Sequence, residues 1–303
     1  DFMSVGSRES AMAFRRQLES RFEIKTQLMG SADGVARACT ATPDEGHIQC
    51  EGRVLNRIVR WTPDGWEVEP DQRHVDLIVQ EMGMQEAKPV CTPGEGASKS
   101  IDPDEILLDE RQTSRFRSMA ARANYLAADR VDIMYAVKEI CRGMANPEEK
   151  EMTKMKRLAR YLKGNGRLIT RYAWQGEESQ ILGYSDSDWA GCRQTGKSTS
   201  GGVIMIGDHF IKGWSRTHNH VTTSSAEAEL IALVQCTSES LGIKSMPQDW
   251  GHQLGVTLYA DSSAALAIAK RKGAGKLRHI NVSALWIQDI QDRGGAQYMK
   301  ILG

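Results

Sequence analysis

Residues 166–303 are expected to fold as a mixed α/β domain, a five-stranded mixed sheet flanked by helices, and three observations carry that expectation. Helical periodicity gives way after Arg167 to short apolar runs of strand length. Those runs first follow one another directly and then alternate with helical patterns. Acidic residues follow two of the runs at once, at Asp186 and Asp261. A chain of 303 residues suits about two domains by the usual ~150-residue prior, so a second unit should precede this one.

That first unit opens with an amphipathic helix over residues 8–22, where Ala11, Phe14, Leu18 and Phe22 recur at helical spacing, and an extended Glu23-Ile24-Lys25. Residues 53–61 alternate apolar and basic side chains as one strand, Thr62-Pro63-Asp64-Gly65 turns the chain, and Trp66-Glu67-Val68 returns. A helix over residues 71–84 keeps Val75, Ile78, Val79 and Met82 on one face, and a polar linker begins at Lys88 and runs to Asp104. Three helical patterns follow at 111–128, 130–144 and 147–162, the last opened by Pro147 and closed by Gly164. It buries Met152, Met155, Leu158, Ala159 and Leu162 and turns Lys154, Arg157 and Arg160 to solvent. With Lys163 these make a basic face that fits either an ordinary solvated surface or a track for a phosphate backbone.

In the α/β unit, strands are expected at 167–173, 180–186, 200–206 and 209–214. Then come a helix at 225–242, a strand at 256–260, helices at 261–271 and 278–292, and a last strand at 296–302. Gly207-Asp208 is short enough to close a hairpin. Gly201-Gly202 precedes a strand rather than a helix, so it is read as close strand packing and not as a phosphate loop.

Composition narrows the function classes. Thirty-nine basic and thirty-nine acidic residues cancel, so any nucleic-acid footprint has to be local. Apolar runs such as Val203-Ile204-Met205-Ile206 are far shorter than the ~18 residues of a membrane span, and no membrane partner is expected. The cysteines Cys39, Cys50, Cys91, Cys141, Cys192 and Cys236 lack metal-ligand spacing and read as reduced thiols. His218 and His220 read as a polar turn.

The chemistry rests on Asp186, Glu229 and Asp261. Each alone has an ordinary reading: Asp186 with Asp188 as turn residues, Glu227 and Glu229 as acids in a helix's first turns, Asp261 as an N-cap. Together, on neighbouring strand ends and on the helix packed across them, they would repel one another without a cation. Such a cluster suits Mg²⁺ or Mn²⁺, with Asp186 as bridging ligand, and suits hydrolysis of a phosphodiester.

The motifs Tyr184-Ser185-Asp186-Ser187-Asp188-Trp189-Ala190-Gly191, Lys197-Ser198-Thr199-Ser200-Gly201, Ser224-Ser225-Ala226-Glu227-Ala228-Glu229-Leu230 and Ala260-Asp261-Ser262-Ser263 closely resemble the ribonuclease H domain of copia-type retrotransposon Pol polyproteins. Upstream, Ala123-Asn124-Tyr125-Leu126, Arg130-Val131-Asp132-Ile133 and Arg157-Leu158-Ala159-Arg160-Tyr161-Leu162-Lys163-Gly164 resemble the segment joining reverse transcriptase to ribonuclease H. Lys88-Pro89-Val90-Cys91-Thr92-Pro93 resembles the end of the polymerase module. Residues 24–70 match only loosely.

The resemblance implies three parts: residues 1–95 as the C-terminal part of a reverse transcriptase (palm and thumb), 96–165 as a helical connection, and 166–303 as a ribonuclease H-like domain. It implies a Mg²⁺- or Mn²⁺-dependent nuclease acting on an RNA–DNA hybrid, with Asp186, Glu229 and Asp261 as catalytic metal ligands. Ser225, Ser262, Lys154, Arg157, Arg160 and Lys163 would hold the hybrid. Asp1-Phe2-Met3 resembles the tail of a polymerase Tyr-x-Asp-Asp turn, which would place the rest of the reverse transcriptase, and DNA synthesis with it, before residue 1 in the parent polyprotein. The family's fourth nuclease carboxylate comes from an Asn-x-Ala-Asp segment after the last strand, so it is expected beyond Gly303, with activity weakened without it. Asp289 and Asp292 fall on the wrong side of that strand to replace it, and Asn281 reads as structural. A remnant that keeps the fold and nucleic-acid binding without cleavage is the other reading. The resemblance places the protein in cytoplasmic virus-like particles, the nucleus or both.

Overall fold

A computed structural model describes residues 3–30, 48–94, 106–273 and 282–301. In chain order the elements are α1 (Arg8–Glu19), β1 (Leu28–Met29), β2 (Ile48–Gln49), β3 (Glu51–Val54), β4 (Arg57–Thr62), β5 (Gly65–Glu69), α2 (Gln72–Glu81), α3 (Glu110–Ala127), a 3₁₀ turn (Val131–Ile133), α4 (Met134–Arg142) and α5 (Glu149–Gly164). Then follow β6 (Thr170–Ala173), β7 (Gln180–Asp188), β8 (Thr199–Ile206), β9 (His209–Thr217), α6 (Ser225–Asp249), β10 (Gly255–Ala260), α7 (Ser263–Lys270), a 3₁₀ turn (Val282–Leu285), α8 (Trp286–Asp292) and β11 (Gln297–Lys300). The expected helix start at 278 lies outside the described residues, as do Asp1, Cys39, Asn281 and Gly303.

The expected five-stranded mixed sheet is present, with order β11-β10-β7-β8-β9. β11, β10 and β7 run parallel, while β8 and β9 are antiparallel to their neighbours. The two-residue turn at Gly207-Asp208 closes the β8–β9 hairpin, with Gly207 at φ +57°. Apolar side chains of this sheet, including Ile181, Ile204 and Leu258, are sealed by Leu230 and Leu233 of α6, Ile268 of α7 and Ile287 of α8. A separate buried cluster unites α2, α3, α4 and α5 around Ile78, Phe116, Val137 and Leu158.

The single strand expected over residues 53–61 is two strands. Leu55 and Asn56 both take positive φ, 47° and 65°, and form a two-residue turn between Val54 and Arg57. Asn accepts that conformation readily and Leu does not, so the alternation on either side conceals the turn in the sequence.

β6 sits where sequence order does not place it. It extends the antiparallel sheet β3-β4-β5-β6, pairing Tyr172 with Trp66 and Thr170 with Val68. Charge holds it there. Arg167 grips buried Glu69 with two bonds of 2.7 and 2.9 Å, which with Arg60 lowers the Glu69 carboxyl to about 2. The sheet of the first unit is thus completed by the chain entering the second. Arg130, 1% exposed, adds a second tie by bonding Asp132, Asn165 O and Gly166 O.

The basic face of α5 does not simply look to solvent. Arg157 donates to Thr92 Oγ1 at 2.8 Å, Arg160 to Lys88 O at 2.8 Å and Lys163 to Ala87 O at 3.0 Å, so three of these cations clasp the linker, while Lys154 pairs with Glu151 at 3.1 Å. The carbonyls of Ala87 and Lys88, which lie outside any helix or strand, need donors, and α5 supplies them. Cys91, Cys141, Cys192 and Cys236 are free thiols as expected, but Cys50 is disulfide-bonded, a spatial pairing that cysteine spacing does not announce.

Gly202 faces the Trp214 indole so closely that a Cβ there would overlap ring atoms, whereas a Cβ on Gly201 meets nothing nearer than Trp214 O at 4.0 Å. Gly202→Ala is therefore expected to cost about 1–3 kcal/mol of stability and Gly201→Ala far less, read from the midpoints of urea unfolding.

Candidate metal centre

Asp186 is carried on β7, whose side chains alternate between the α6 side, where Ile181, Gly183 and Ser185 are buried, and the opposite face. Gly183 lets α6 come close. A Cβ at this position would lie 2.8 Å from Cys236 Sγ and 3.1 Å from Ser240 Oγ. Glu229, Leu233, Cys236 and Ser240 recur at helical spacing, and all four are buried, so the ridge that lies along β7 ends in Glu229. There Ser187 N donates to Glu229 Oε1 at 3.1 Å.

Asp261 arrives by register. β10 runs parallel to β7 with Ala260 opposite Ser185, so the next residues, Asp261 and Asp186, are neighbours at the same end of the sheet. Ser262, not Asp261, caps α7 by accepting from Ala265 N at 3.2 Å. Likewise Ser224 caps α6, and Glu227 accepts from Thr223 N at 2.7 Å. The ordinary roles open to Asp261 and Glu229 are filled by their neighbours, which leaves both acids for the cluster.

The three carboxylates offer oxygens that all lie within 4.8 Å of one another, and among the described residues no other group of three possible ligands does so. Asp186 and Asp261 are exposed, while Glu229 is 8% exposed. Burial, then Asp186, then Asp261 raise the Glu229 carboxyl to about 7. Its Oε2 is buried and has no hydrogen-bond partner. An unpartnered buried acceptor on one of three clustered carboxylates is the setting in which a hard divalent cation replaces the missing donors, so the residues fit Mg²⁺ or Mn²⁺.

The remaining candidates are distributed around this point. Ser225 is exposed on the first turn of α6, and Ser262 stands at the start of α7 directly after Asp261. Lys154, Arg157, Arg160 and Lys163 lie on α5, engaged as described above. Asp188 shares β7 with Asp186 and lines with it, Tyr184, Tyr135 and Trp214 a cleft of about 590 Å³. Asp289 pairs with Arg293 at 2.9 Å and Asp292 with Lys272 at 3.3 Å, and neither joins the trio. His218 departs from the polar turn expected of it. It is buried, with Nε2 2.5 Å from Ser200 Oγ, because the strand pair β8–β9 carries it inward.

Two parallel and two antiparallel strand pairings in this order, with carboxylates where β7, β10 and α6 meet, define a ribonuclease H-like α/β domain. The chain belongs to the retrovirus-related Pol polyproteins of transposons. It is 28% identical over 240 residues to the Pol polyprotein from transposon TNT 1-94 of Nicotiana tabacum, a match covering 76% of this chain and 18% of that one. It is 29% identical over 245 residues to that from transposon RE1 of Arabidopsis thaliana, covering 79% and 16%. It is also 31% identical over 172 residues to an uncharacterized mitochondrial protein of Arabidopsis thaliana, covering 55% and 68%. The chain thus spans less than a fifth of the length of the two polyproteins. Similar solved structures include the ribonuclease H1 LC11, isolated from compost (TM-score 0.33, 17% identity, 41% of this chain and 84% of that one), and a foamy viral protease-reverse transcriptase (0.43, 12%, 84% and 45%). No protein-family model matches the chain.

The raised Glu229 carboxyl sets a pH signature. Its folded-state value lies above its unfolded one, so the folded state holds the extra proton, and stability from this group falls as pH rises from about 4.5 to about 7. In chelator, the melting temperature of the unmodified chain should fall across that window relative to Glu229→Gln. Saturating Mn²⁺ should remove the difference in slope.

Proposed function

We propose that this chain carries a divalent-metal-dependent ribonuclease H activity that hydrolyses the RNA strand of an RNA–DNA hybrid, within a copia-type retrotransposon Pol polyprotein. The observation that carries the reading is the convergence of Asp186, Glu229 and Asp261, whose carboxylate oxygens lie within 4.8 Å of one another while Glu229 Oε2 is buried without a hydrogen-bond partner. Asp186, Glu229 and Asp261 would hold the ion, Mg²⁺ or Mn²⁺. When bound, it supplies charge neutralisation and Lewis-acid activation for the replacement of a 3′ oxygen at phosphorus by water.

The protein's own groups favour an anionic substrate at this end of the sheet. Glu229, fixed by Ser187 N, anchors the site from below, and Asp186 and Asp261 present exposed carboxylates toward solvent. Glu229 lies in the second turn of α6 and Asp261 directly precedes the Ser262 cap of α7, so the positive ends of both helices temper the carboxylate repulsion. Ser225 and Ser262 are placed at those ends to meet the sugar-phosphate backbone and the 2′-hydroxyls that distinguish RNA. Further along, Lys154, Arg157, Arg160 and Lys163 would extend the contact, Arg157, Arg160 and Lys163 while also holding the linker.

In this reading residues 1–95 derive from the end of a reverse transcriptase, 96–165 from the connection and 166–303 from the nuclease domain. The family's particles and the nucleus are the corresponding places of action. A second reading, a domain that binds hybrid without cutting it, is favoured by the presence of three rather than four clustered carboxylates among the described residues.

The test is cleavage of a labelled RNA–DNA hybrid in Mg²⁺ and in Mn²⁺ by the 303-residue chain and by a version continued through the Asn-x-Ala-Asp segment of the family. Cutting is expected in either ion. Asp186→Asn, Glu229→Gln or Asp261→Asn should each reduce it by about a hundredfold or more. Hybrid binding without cutting in both versions would favour the second reading, and cleavage that survives Asp186→Asn would refute the first.

A further inference from the structure

The turn that follows β7 is held in a conformation its residues do not favour. Ala190 has φ +51°, in the left-handed region, where a non-glycine residue costs roughly 1 kcal/mol or more. Its neighbour Gly191 leaves the space that the Asp188 carboxylate fills, since a Cβ there would overlap it. Something must hold this turn, and the groups that do so are buried. Ala190 N donates to Ser198 Oγ at 3.0 Å, and Ser198 Oγ lies 2.8 Å from Thr222 Oγ1. Trp189 Nε1 donates to Thr222 O at 3.3 Å, and His218 N donates to Ser198 O at 2.8 Å. Ser198 is 0% and Thr222 3% exposed.

These bonds connect two segments that each carry a member of the trio. Residues 189–198 continue directly from Asp186-Ser187-Asp188. Thr222 stands two residues before the α6 cap Ser224, in the segment that sets where α6, and hence Glu229, begins. The same two segments meet again where Ser187 N bonds Glu229 Oε1. Buried hydroxyls bonded to each other in this position transmit geometry, because breaking the bond leaves a buried donor or acceptor unpaired.

We propose that the Ser198–Thr222 hydroxyl pair is a latch that sets the spacing of Asp186 and Glu229, making Ser198 and Thr222 positioning residues for the metal centre. The inference rests on the metal-centre reading above. Neither residue touches the ion or substrate. Their effect passes through the strained turn at Ala190 on one side and the start of α6 on the other.

The experiment compares the full chain with Thr222→Val, Thr222→Ser and, as a control for lost stability in the same core, Ile287→Val. Two quantities are measured: Mn²⁺ affinity by calorimetry, and amide hydrogen exchange at Ser187 and Ala190 without metal. Thr222→Val should weaken Mn²⁺ binding by about tenfold or more, as loss of an outer-shell partner does, and speed exchange at both amides. Thr222→Ser, which keeps the hydroxyl, should restore both, and Ile287→Val should alter neither beyond its effect on global unfolding. Unchanged exchange in Thr222→Val, or an equal loss of affinity in Ile287→Val, overturns the latch. If the unmodified chain binds no Mn²⁺, the metal-centre reading fails instead, and the exchange result alone decides whether the latch exists.

Discussion

Everything at the site depends on how closely α6 lies along β7. A side chain at residue 183 would overlap Leu258 of β10 first and then crowd Cys236 and Ser240 of α6, and Glu229 rides on the same helical ridge. With glycine there, the helix settles until Glu229 reaches Ser187 N and its second oxygen is buried without a hydrogen-bond partner. Packing thereby forces three carboxylates together against their mutual repulsion. Burial first, and then the neighbouring Asp186 and Asp261, raise the Glu229 carboxyl, and a divalent cation is the simplest resolution of both.

The two units of the chain are joined more firmly than a linker would join them. β6 completes the antiparallel sheet of the first unit immediately before β7 begins the second, and the Arg167–Glu69 pair secures the crossing. From the helical unit, Lys138 Nζ reaches Thr199 Oγ1 at 2.8 Å, and Arg142 bonds Cys192 in the loop after β7. The surroundings of the carboxylate cluster therefore include groups from outside residues 166–303.

Much of the site was legible in the sequence because each acid sits at a pattern boundary. Asp186 and Asp261 follow apolar strands whose parallel register brings them together, and the α6 pattern announced the helix that carries Glu229. The five-stranded mixed sheet followed from the succession of strands and helices. What stayed hidden depended on contacts distant in sequence. The pairing of β6 with β5 is set by Arg167 and Glu69, 98 positions apart, and no local pattern records it. The Leu55-Asn56 turn was masked by flanking alternation. The basic face of α5 looked like a surface, because periodicity cannot show that linker carbonyls will lie against it. His218 looked like turn chemistry, and its burial follows from the strand pairing of β8 with β9 rather than from its own neighbours.

The claim that these three acids form a metal site is tested most directly by the anomalous difference density of a crystal of this protein grown with Mn²⁺. The account predicts a peak within coordination distance of carboxylate oxygens from Asp186, Glu229 and Asp261 together. A well-ordered site without such a peak, with Glu229 protonated and hydrogen-bonded to Asp186 or Asp261, would contradict it.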